Sequence, residues 1–364
     1  MIKISFLGDI LCQLPFLRAA QKRGNDFYTA FEGLQPLLQD SDYVVANLET
    51  PIAGEEAGYT KDIYSFNTPA AFLDALKKLK IDLYLTANNH CLDRGIAGLK
   101  NTIQELDRRN MSHIGTTRFL NEPRYYKVKL GDTIIAFLNY TACVNEDKWK
   151  LYGHKLQKSD LNLLIDIDKY LAYRTEKRKQ SIPLYTLRKK LGSTIPKSIQ
   201  LKLKSTLGIK QHPTFDNEPL AEVAGTYLDQ VKQEIANAKS EADLVILLPH
   251  CGGQFNTKPG KLSQDIFNTL FDFGADAVIG NHPHTIQETG LNNGKPYAYS
   301  LGNVSFSPSY PFQVKESKPE VGIIFHLFIE DKKIVKTTSS MFKSTEGLDH
   351  YPILKTIDEQ FIGP

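Results

Sequence analysis

Five short apolar runs in this chain each end in a polar, turn-prone residue, and that recurrence limits the fold more than any other feature. Ile2-Lys3-Ile4-Ser5-Phe6-Leu7 leads into Gly8-Asp9, and Tyr43-Val44-Val45-Ala46 into Asn47-Leu48-Glu49. Ile81-Asp82-Leu83-Tyr84-Leu85-Thr86-Ala87 leads into Asn88-Asn89-His90, Leu244-Val245-Ile246-Leu247-Leu248 into Pro249-His250, and the stretch 275–279 into Gly280-Asn281-His282-Pro283-His284. Aliphatic and β-branched runs of this length read as buried strands. Residues 27–38, 69–79, 96–109, 218–238 and 262–273 carry helical spacing between or before them. Strand alternating with helix predicts an α/β fold with parallel strands. Such sheets bind ligands at the carboxyl ends of their strands. Any one polar strand end has a plain structural reading, because Asp, Asn and Gly favour turns. Five in the same register, offering Asp, Glu, Asn and His together, point to a shared site.

His282 and His284 flank Pro283, which stiffens the turn between them, and imidazole is the commonest metal side-chain ligand near neutral pH. An Asp, a Glu, an Asn and three His make a mixed oxygen and nitrogen set. That set suits Zn, Mn or Fe rather than Ca or Mg, which prefer all-oxygen shells. Two such ions about 3.5–4 Å apart and bridged by a carboxylate would stabilise both oxygens of a displacement and activate water. His90 stands beside Asn89 and is surplus to the ligand set, so it is a candidate general acid.

The chain is long enough for one large domain over residues 1–364, and 41% hydrophobic with 23% charged residues is ordinary globular composition. Its net charge of +3 hides an asymmetry: residues 169–210 hold twelve Lys or Arg against one Glu, a local +11, so the remainder stands at −8. Basicity confined to one stretch argues against a general nucleic-acid binder. Residues 145–216 also break the strand–helix rhythm and are punctuated by Pro183, Pro196 and Pro213. They read as a basic, partly helical insertion, serving either as a solvated face or as a lid or arm that steers a polyanion. Cys12, Cys91, Cys143 and Cys251 form no CxxC pair, and a disulfide framework is not expected. Cys12 and Cys251 read as small buried thiols, with soft metal ligation as the alternative. Reduced thiols, no apolar leader and no apolar span of membrane length predict a cytoplasmic protein without a transmembrane segment. Later in the chain, 125–130 and 133–139 read as a hairpin about Gly131-Asp132, 297–306 and 321–329 as strands, and 335–364 as a last strand and tail.

The ordered motifs resemble the CapA family, the poly-γ-glutamate capsule synthesis proteins of the calcineurin-like metallophosphatase superfamily. The resemblance rests on Gly8-Asp9, Asn47-Leu48-Glu49-Thr50-Pro51, Ala87-Asn88-Asn89-His90-Cys91-Leu92-Asp93-Arg94-Gly95, His250-Cys251-Gly252, Gly280-Asn281-His282-Pro283-His284-Thr285-Ile286-Gln287 and Tyr299-Ser300-Leu301-Gly302-Asn303. It implies a metallophosphatase-like α/β/β/α sandwich with the metal centre at the strand ends. It implies Glu49 as a bridge, Asn89, His250 and His282 completing one metal site, and Asp9 with His284 at the other. It further places Asn47, Arg94 and Asn303 as candidate substrate-binding residues, and one or two divalent transition ions (Mn, Zn or Fe) as cofactors. Three departures stand out. The first motif has Leu11 where metallophosphatases generally have His, the motif His250 is followed by Cys251 rather than Trp, and the basic insertion lies outside the shared core. The implied function is a metal-dependent hydrolase acting on a phosphoester or an anionic polymer. The alternatives are a non-catalytic metal-binding component of a capsule assembly system, with capsule-assembly proteins as partners, and a nucleic-acid phosphodiesterase. Only Tyr170, Tyr173 and Tyr185 could serve the last as stacking groups beside the basic residues.

Overall fold

The computed structural model describes residues 1–117, 123–181 and 211–357, with isolated positions between 192 and 203. Its strands are β1 (Ile2–Ile10), β2 (Tyr43–Leu48), β3 (Leu83–Leu85), β4 (Ser112–Ile114), β5 (Tyr126–Leu130), β6 (Thr133–Thr141) and β7 (Leu244–His250). They continue with β8 (Ala277–Ile279), β9 (Thr289–Asn292), β10 (Lys295–Ala298), β11 (Asn303–Ser305), β12 (Val321–Glu330), β13 (Lys333–Glu346) and β14 (Pro352–Ile357). Two sheets result. One runs β14-β13-β12-β1-β2-β3-β4 with β11 added to β1, and the other runs β5-β6-β7-β8-β10-β9.

Period-two alternation explains how both faces of these strands are buried. Ile4, Phe6, Val45, Leu83 and Leu85 meet Phe137, Ile246, Leu248 and Ile279 in the layer between the sheets. Their neighbours Val44, Ala46 and Tyr84 point the other way, onto the helices Leu14–Lys22 and Ala71–Lys78. Val245 and Leu247 face the helices Tyr227–Glu241 and Lys261–Asp272 on the far side. The result is the expected α/β/β/α sandwich.

The strands that carry the polar ends run parallel: β1 with β2, β2 with β3, β6 with β7, and β7 with β8. Their carboxyl ends therefore emerge at one edge. Gly8 makes the first of these ends workable, since a Cβ there would lie 1.9 Å from the Gly302 carbonyl oxygen. With glycine, β11 closes against β1 and the register slips between Leu7 and Asp9, setting Asp9 opposite both Asn47 and Asn303.

Several elements depart from the sequence reading. Residues 27–38 form only a 3₁₀ turn, Glu32–Leu34, and one α-helical turn, Gln35–Leu38, because Pro36 has no N–H to extend a longer helix. The helix anticipated over 218–238 is split into Leu220–Val223 and Tyr227–Glu241 at Gly225, whose φ of +59° ends the first piece. The run 297–306 is two strands in different sheets, β10 and β11, separated by a turn in which Gly302 has φ +76°. In the stretch 145–216, helices Glu146–Tyr152 and Ile167–Ser181 are present, and Leu161, Leu163, Leu164, Ile165 and Ile167 are buried in the core beneath the second sheet. Arg188, Lys189, Lys190, Lys197, Lys202, Lys204 and Lys210 lie outside the described residues. No helix among the described residues is long and apolar enough to cross a membrane.

One buried histidine lies away from the strand ends and sets a pH dependence. His326 is enclosed between Ser5 Oγ at 2.7 Å and Ser340 Oγ at 3.0 Å. Burial, with a smaller push from Lys3, lowers its pKa to about 4. Between that value and the unfolded value near 6.5 the unfolded chain binds the extra proton, so stability rises with pH across the window and is lost as pH falls through it. Unfolding free energies from denaturant titrations at pH 4.5 and 7 are expected to differ by about 1–3 kcal/mol more for the parent than for His326→Gln. An equal pH slope in the variant would remove His326 from the account.

Candidate metal centre

The strand ends converge on one buried cluster. Asp9, Glu49, Asn89, His250, His282 and His284 are each 6% exposed or less. His250 Nε2 lies 2.8 Å from Asn89 Oδ1, 3.1 Å from His282 Nδ1 and 3.5 Å from Glu49 Oε1. His284 Nδ1 lies 3.2 Å from Asp9 Oδ2, and its Nε2 lies 3.7 Å from Glu49 Oε1. The His282 backbone N–H also donates to Asp9 Oδ2, at 3.2 Å. The two loop histidines are held at φ +110° (His282) and +57° (His284), a backbone region that non-glycine residues occupy only when the surroundings enforce it. The enforced conformation turns both imidazoles toward the same point, on either side of Pro283.

The electrostatics of this cluster suit a cation. Both carboxylate oxygens of Glu49 are buried without a hydrogen-bond partner among the described residues. Burial, then the charge of Asp9 and its side-chain interaction with Glu49, then the charge of Asp93, push the Glu49 carboxyl well above its ordinary value. Burial, then neighbouring histidines, hold His250 and His282 well below theirs, which favours the neutral imidazole, the form that ligates metal. A carboxyl buried this deeply beside imidazoles is costly to ionise in a protein interior, and a positive ion held between them would offset that cost. The donor set therefore fits a transition metal, with Glu49, His282 and His284 forming one group of mutually close donor atoms and Cys143, His250 and His282 another.

His90 stands at the rim of the cluster. Its Nε2 is 4.0 Å from Glu49 Oε1 and its Nδ1 is 2.7 Å from Asp93 Oδ2. Asp93 also accepts from the Phe66 backbone N–H at 2.7 Å and from Asn145 Nδ2 at 3.2 Å. The Phe66 ring covers the imidazole at 4.5 Å between centroids. A carboxylate on Nδ1 fixes the tautomer and leaves Nε2 facing the cluster.

The three candidate substrate residues have internal partners. Asn47 Nδ2 donates to Asp9 Oδ1 at 2.7 Å, and its Oδ1 accepts from Asn88 at 3.3 Å. Asn303 lies at 3.0 Å from His284 Nδ1 through Oδ1 and donates to the His284 and Pro319 carbonyls. Arg94 donates to the Gly58, Ser65 and Asp93 carbonyls, tying the loop over residues 58–65 to the helix Gly95–Arg108. These contacts hold the side chain of Asp9, the His284 ring and the loop over residues 58–65.

Three residues that the sequence reading did not place here join the cluster: Asp93, Asn145 and Cys143. Asp93 is visible in sequence as the third residue after His90. The other two follow β6, which runs to Thr141 rather than stopping at residue 139, making a sixth strand end at the same edge.

Two cavities open onto the cluster. One of about 220 Å³ is walled by Asn89, Cys143, Asn145, His282 and, from the helix Ile167–Ser181, Arg174 and Arg178. The other, of about 80 Å³, is lined by His90 and His284 together with Leu11, Phe66, Tyr310 and Phe312. Leu11, at the position where a histidine ligand was expected, packs with Phe66, Phe306 and Tyr310.

Comparison with known proteins gives a family affiliation. The sequence model described as bacterial capsule synthesis protein PGA_cap matches residues 3–308. The PGA biosynthesis protein CapA of Bacillus subtilis (strain 168) is 22% identical over 316 residues, covering 85% of this chain and 64% of that protein. The capsule biosynthesis protein CapA of Bacillus anthracis is 21% identical over 313 residues, covering 85% of this chain and 61% of that protein. The chain thus spans a little over three-fifths of the length of these curated relatives. Among solved structures, a hypothetical protein from Thermus thermophilus aligns with a TM-score of 0.46 at 13% identity, covering 94% of this chain and 99% of that one. A putative 5'-nucleotidase from Staphylococcus aureus aligns with a TM-score of 0.47 at 10% identity, covering 100% of this chain and 56% of that one.

Proposed function

The chain belongs to the bacterial capsule synthesis protein family PGA_cap, and from that premise we propose that it is a metal-dependent hydrolase, acting on a phosphoester or an anionic polymer in capsule, exopolysaccharide or poly-γ-glutamate metabolism. The observation that carries the reading is the fully buried Glu49 carboxyl, without a hydrogen-bond partner among the described residues, set beside the imidazoles of His250, His282 and His284. Glu49, Asn89, His250 and His282 would hold one transition ion; Asp9, Glu49 and His284 would contribute to a second. When bound, such ions supply Lewis acidity toward a phosphoryl or carbonyl centre and charge for the oxygens of a displacement. The chain's own residues supply the rest. Asp93 orients His90 through Nδ1, and the imidazolium form of His90, with its second proton on Nε2, would give that proton to the leaving oxygen and return to the neutral ring. The experiment is a screen of the Mn-, Zn- and Fe-loaded protein against generic phosphoesters and γ-glutamyl peptides. Metal-dependent turnover in one class supports the reading, and none in either contradicts it.

The cavity walls favour an anionic substrate. Arg174 is fixed by Glu218 at 3.2 Å and by the Tyr170 hydroxyl at 2.8 Å, and Arg178, one turn further along the same helix, lines the same cavity with its charge also reaching Glu218. Arg178→Gln is expected to lower kcat/KM for an anionic polymer and flatten its salt dependence, while leaving a small neutral substrate unchanged, because exposed charges are screened beyond about 8 Å at physiological ionic strength. Parallel salt slopes for parent and variant would make this helix a solvated wall. A second reading, a metal-stabilised but non-catalytic component that docks capsule-assembly proteins, is favoured by one observation: Leu11 removes a ligand from the Asp9 side and puts an apolar group there. A cytoplasmic setting forms part of the proposal and is supported by four free thiols.

A further inference from the structure

We propose that Cys143 is a ligand of the metal held by His250 and His282, making the centre selective for thiophilic ions over Mn or Mg. The inference rests on the metal-centre reading above and goes beyond it, because Cys143 is not among the expected ligands. The ligating atoms of Cys143, His250 and His282 all lie within 4.8 Å of one another. Asn89 Oδ1 and Glu49 Oε1 border the same point, at 2.8 and 3.5 Å from His250 Nε2. Glu49 also points to a ligand there, since both of its oxygens are buried and neither meets hydrogen-bond geometry with a described residue.

The backbone aims the sulfur. Thr141 and His250 are paired in the β6–β7 ladder, and the Ala142 N–H donates to the His250 carbonyl at 3.0 Å. Thr141 Oγ1 then donates to the Cys143 carbonyl at 2.6 Å, a tight local turn that sets Cys143 over the end of β7. The thiol meets the His250 carbonyl oxygen at 3.5 Å, a weak contact that a neutral S–H satisfies and a metal bond would replace. The other cysteines are turned elsewhere. Cys251 Sγ faces Ser263 Oγ at 3.9 Å, while Cys12 and Cys91 are buried in the hydrophobic layers. Cys143 lines the cavity that opens on the cluster.

The chemistry follows from softness. A thiolate favours Zn, Fe or Co, whereas carboxylate and carbonyl oxygens alone suit Mg and Mn. Binding converts S–H to a sulfur–metal bond and releases the proton to solvent. Leu11 weakens the Asp9 side while Cys143 strengthens the His250 side. The arrangement is therefore biased toward one tight, thiophilic ion.

Cobalt(II) tests this on the intact protein. Visible ligand-field bands report that cobalt is bound, and a near-ultraviolet sulfur-to-cobalt charge-transfer band reports a thiolate in its shell. The parent is expected to show both. Cys143→Ser and Cys143→Ala, each checked for native far-ultraviolet dichroism, should lose the charge-transfer band and keep the visible bands. Zinc should also protect Cys143 from iodoacetamide in the parent. Visible bands without a charge-transfer band in the parent, or a charge-transfer band that survives in both variants, would overturn the role of Cys143 alone. If no visible bands appear, the metal-centre reading falls and this one with it.

Discussion

His250→Ala is expected to empty the centre of transition metal. His250 Nε2 sits between Asn89 Oδ1, His282 Nδ1 and Glu49 Oε1, so its loss removes the donor that the others surround. Metal that binds only the folded state stabilises it by mass action, by about 4 kcal/mol when free metal exceeds the dissociation constant a thousandfold. The parent should therefore melt higher with zinc than with chelator, and His250→Ala should melt at one temperature in both. His282→Ala should behave alike, because His282 belongs to both groups of close donors. Unchanged metal content in both variants, measured by elemental analysis, would dissolve the ligand assignment.

His90→Ala should do the opposite: keep its metal and lose turnover. The imidazole is 4.0 Å from Glu49 and bound through Nδ1 to Asp93, so it is oriented toward the cluster and is surplus to the donors around His250. A positioned general acid contributes about 10²–10⁴-fold to rate. That loss should appear in kcat on substrates with poor leaving groups and shrink on activated esters, which need no proton. A uniform loss across both substrate types, or metal lost along with activity, would reduce His90 to a support for its neighbours.

The candidate site is more legible in the sequence than the elements that frame it. Each of Asp9, Glu49, Asn89, His250 and His282 follows an aliphatic run, and parallel pairing carries those run ends to one edge whatever the exact boundaries. Period-two burial shows in Val44, Val45 and Ala46 because both faces of β2 are covered. What sequence alone does not show depends on single residues acting through tertiary context. Gly302 sits inside a continuous strand pattern, yet its positive φ sends β10 and β11 into different sheets. Gly225 splits a helix that periodicity would carry through, since its φ of +59° has no local marker beyond glycine itself. Cys143 and Asn145 are hidden because the alternating pattern of β6 stops two residues before the strand does, which conceals the sixth polar strand end.

Anomalous diffraction from crystals grown with zinc, recorded on either side of the zinc edge, shows whether these strand ends enclose a metal. One strong peak is expected about 2.0–2.3 Å from His250 Nε2, His282 Nδ1 and Glu49, the range of zinc–ligand bonds. A peak confined to surface histidines, or none between these residues in protein that has taken up zinc, would contradict a metal centre at these strand ends.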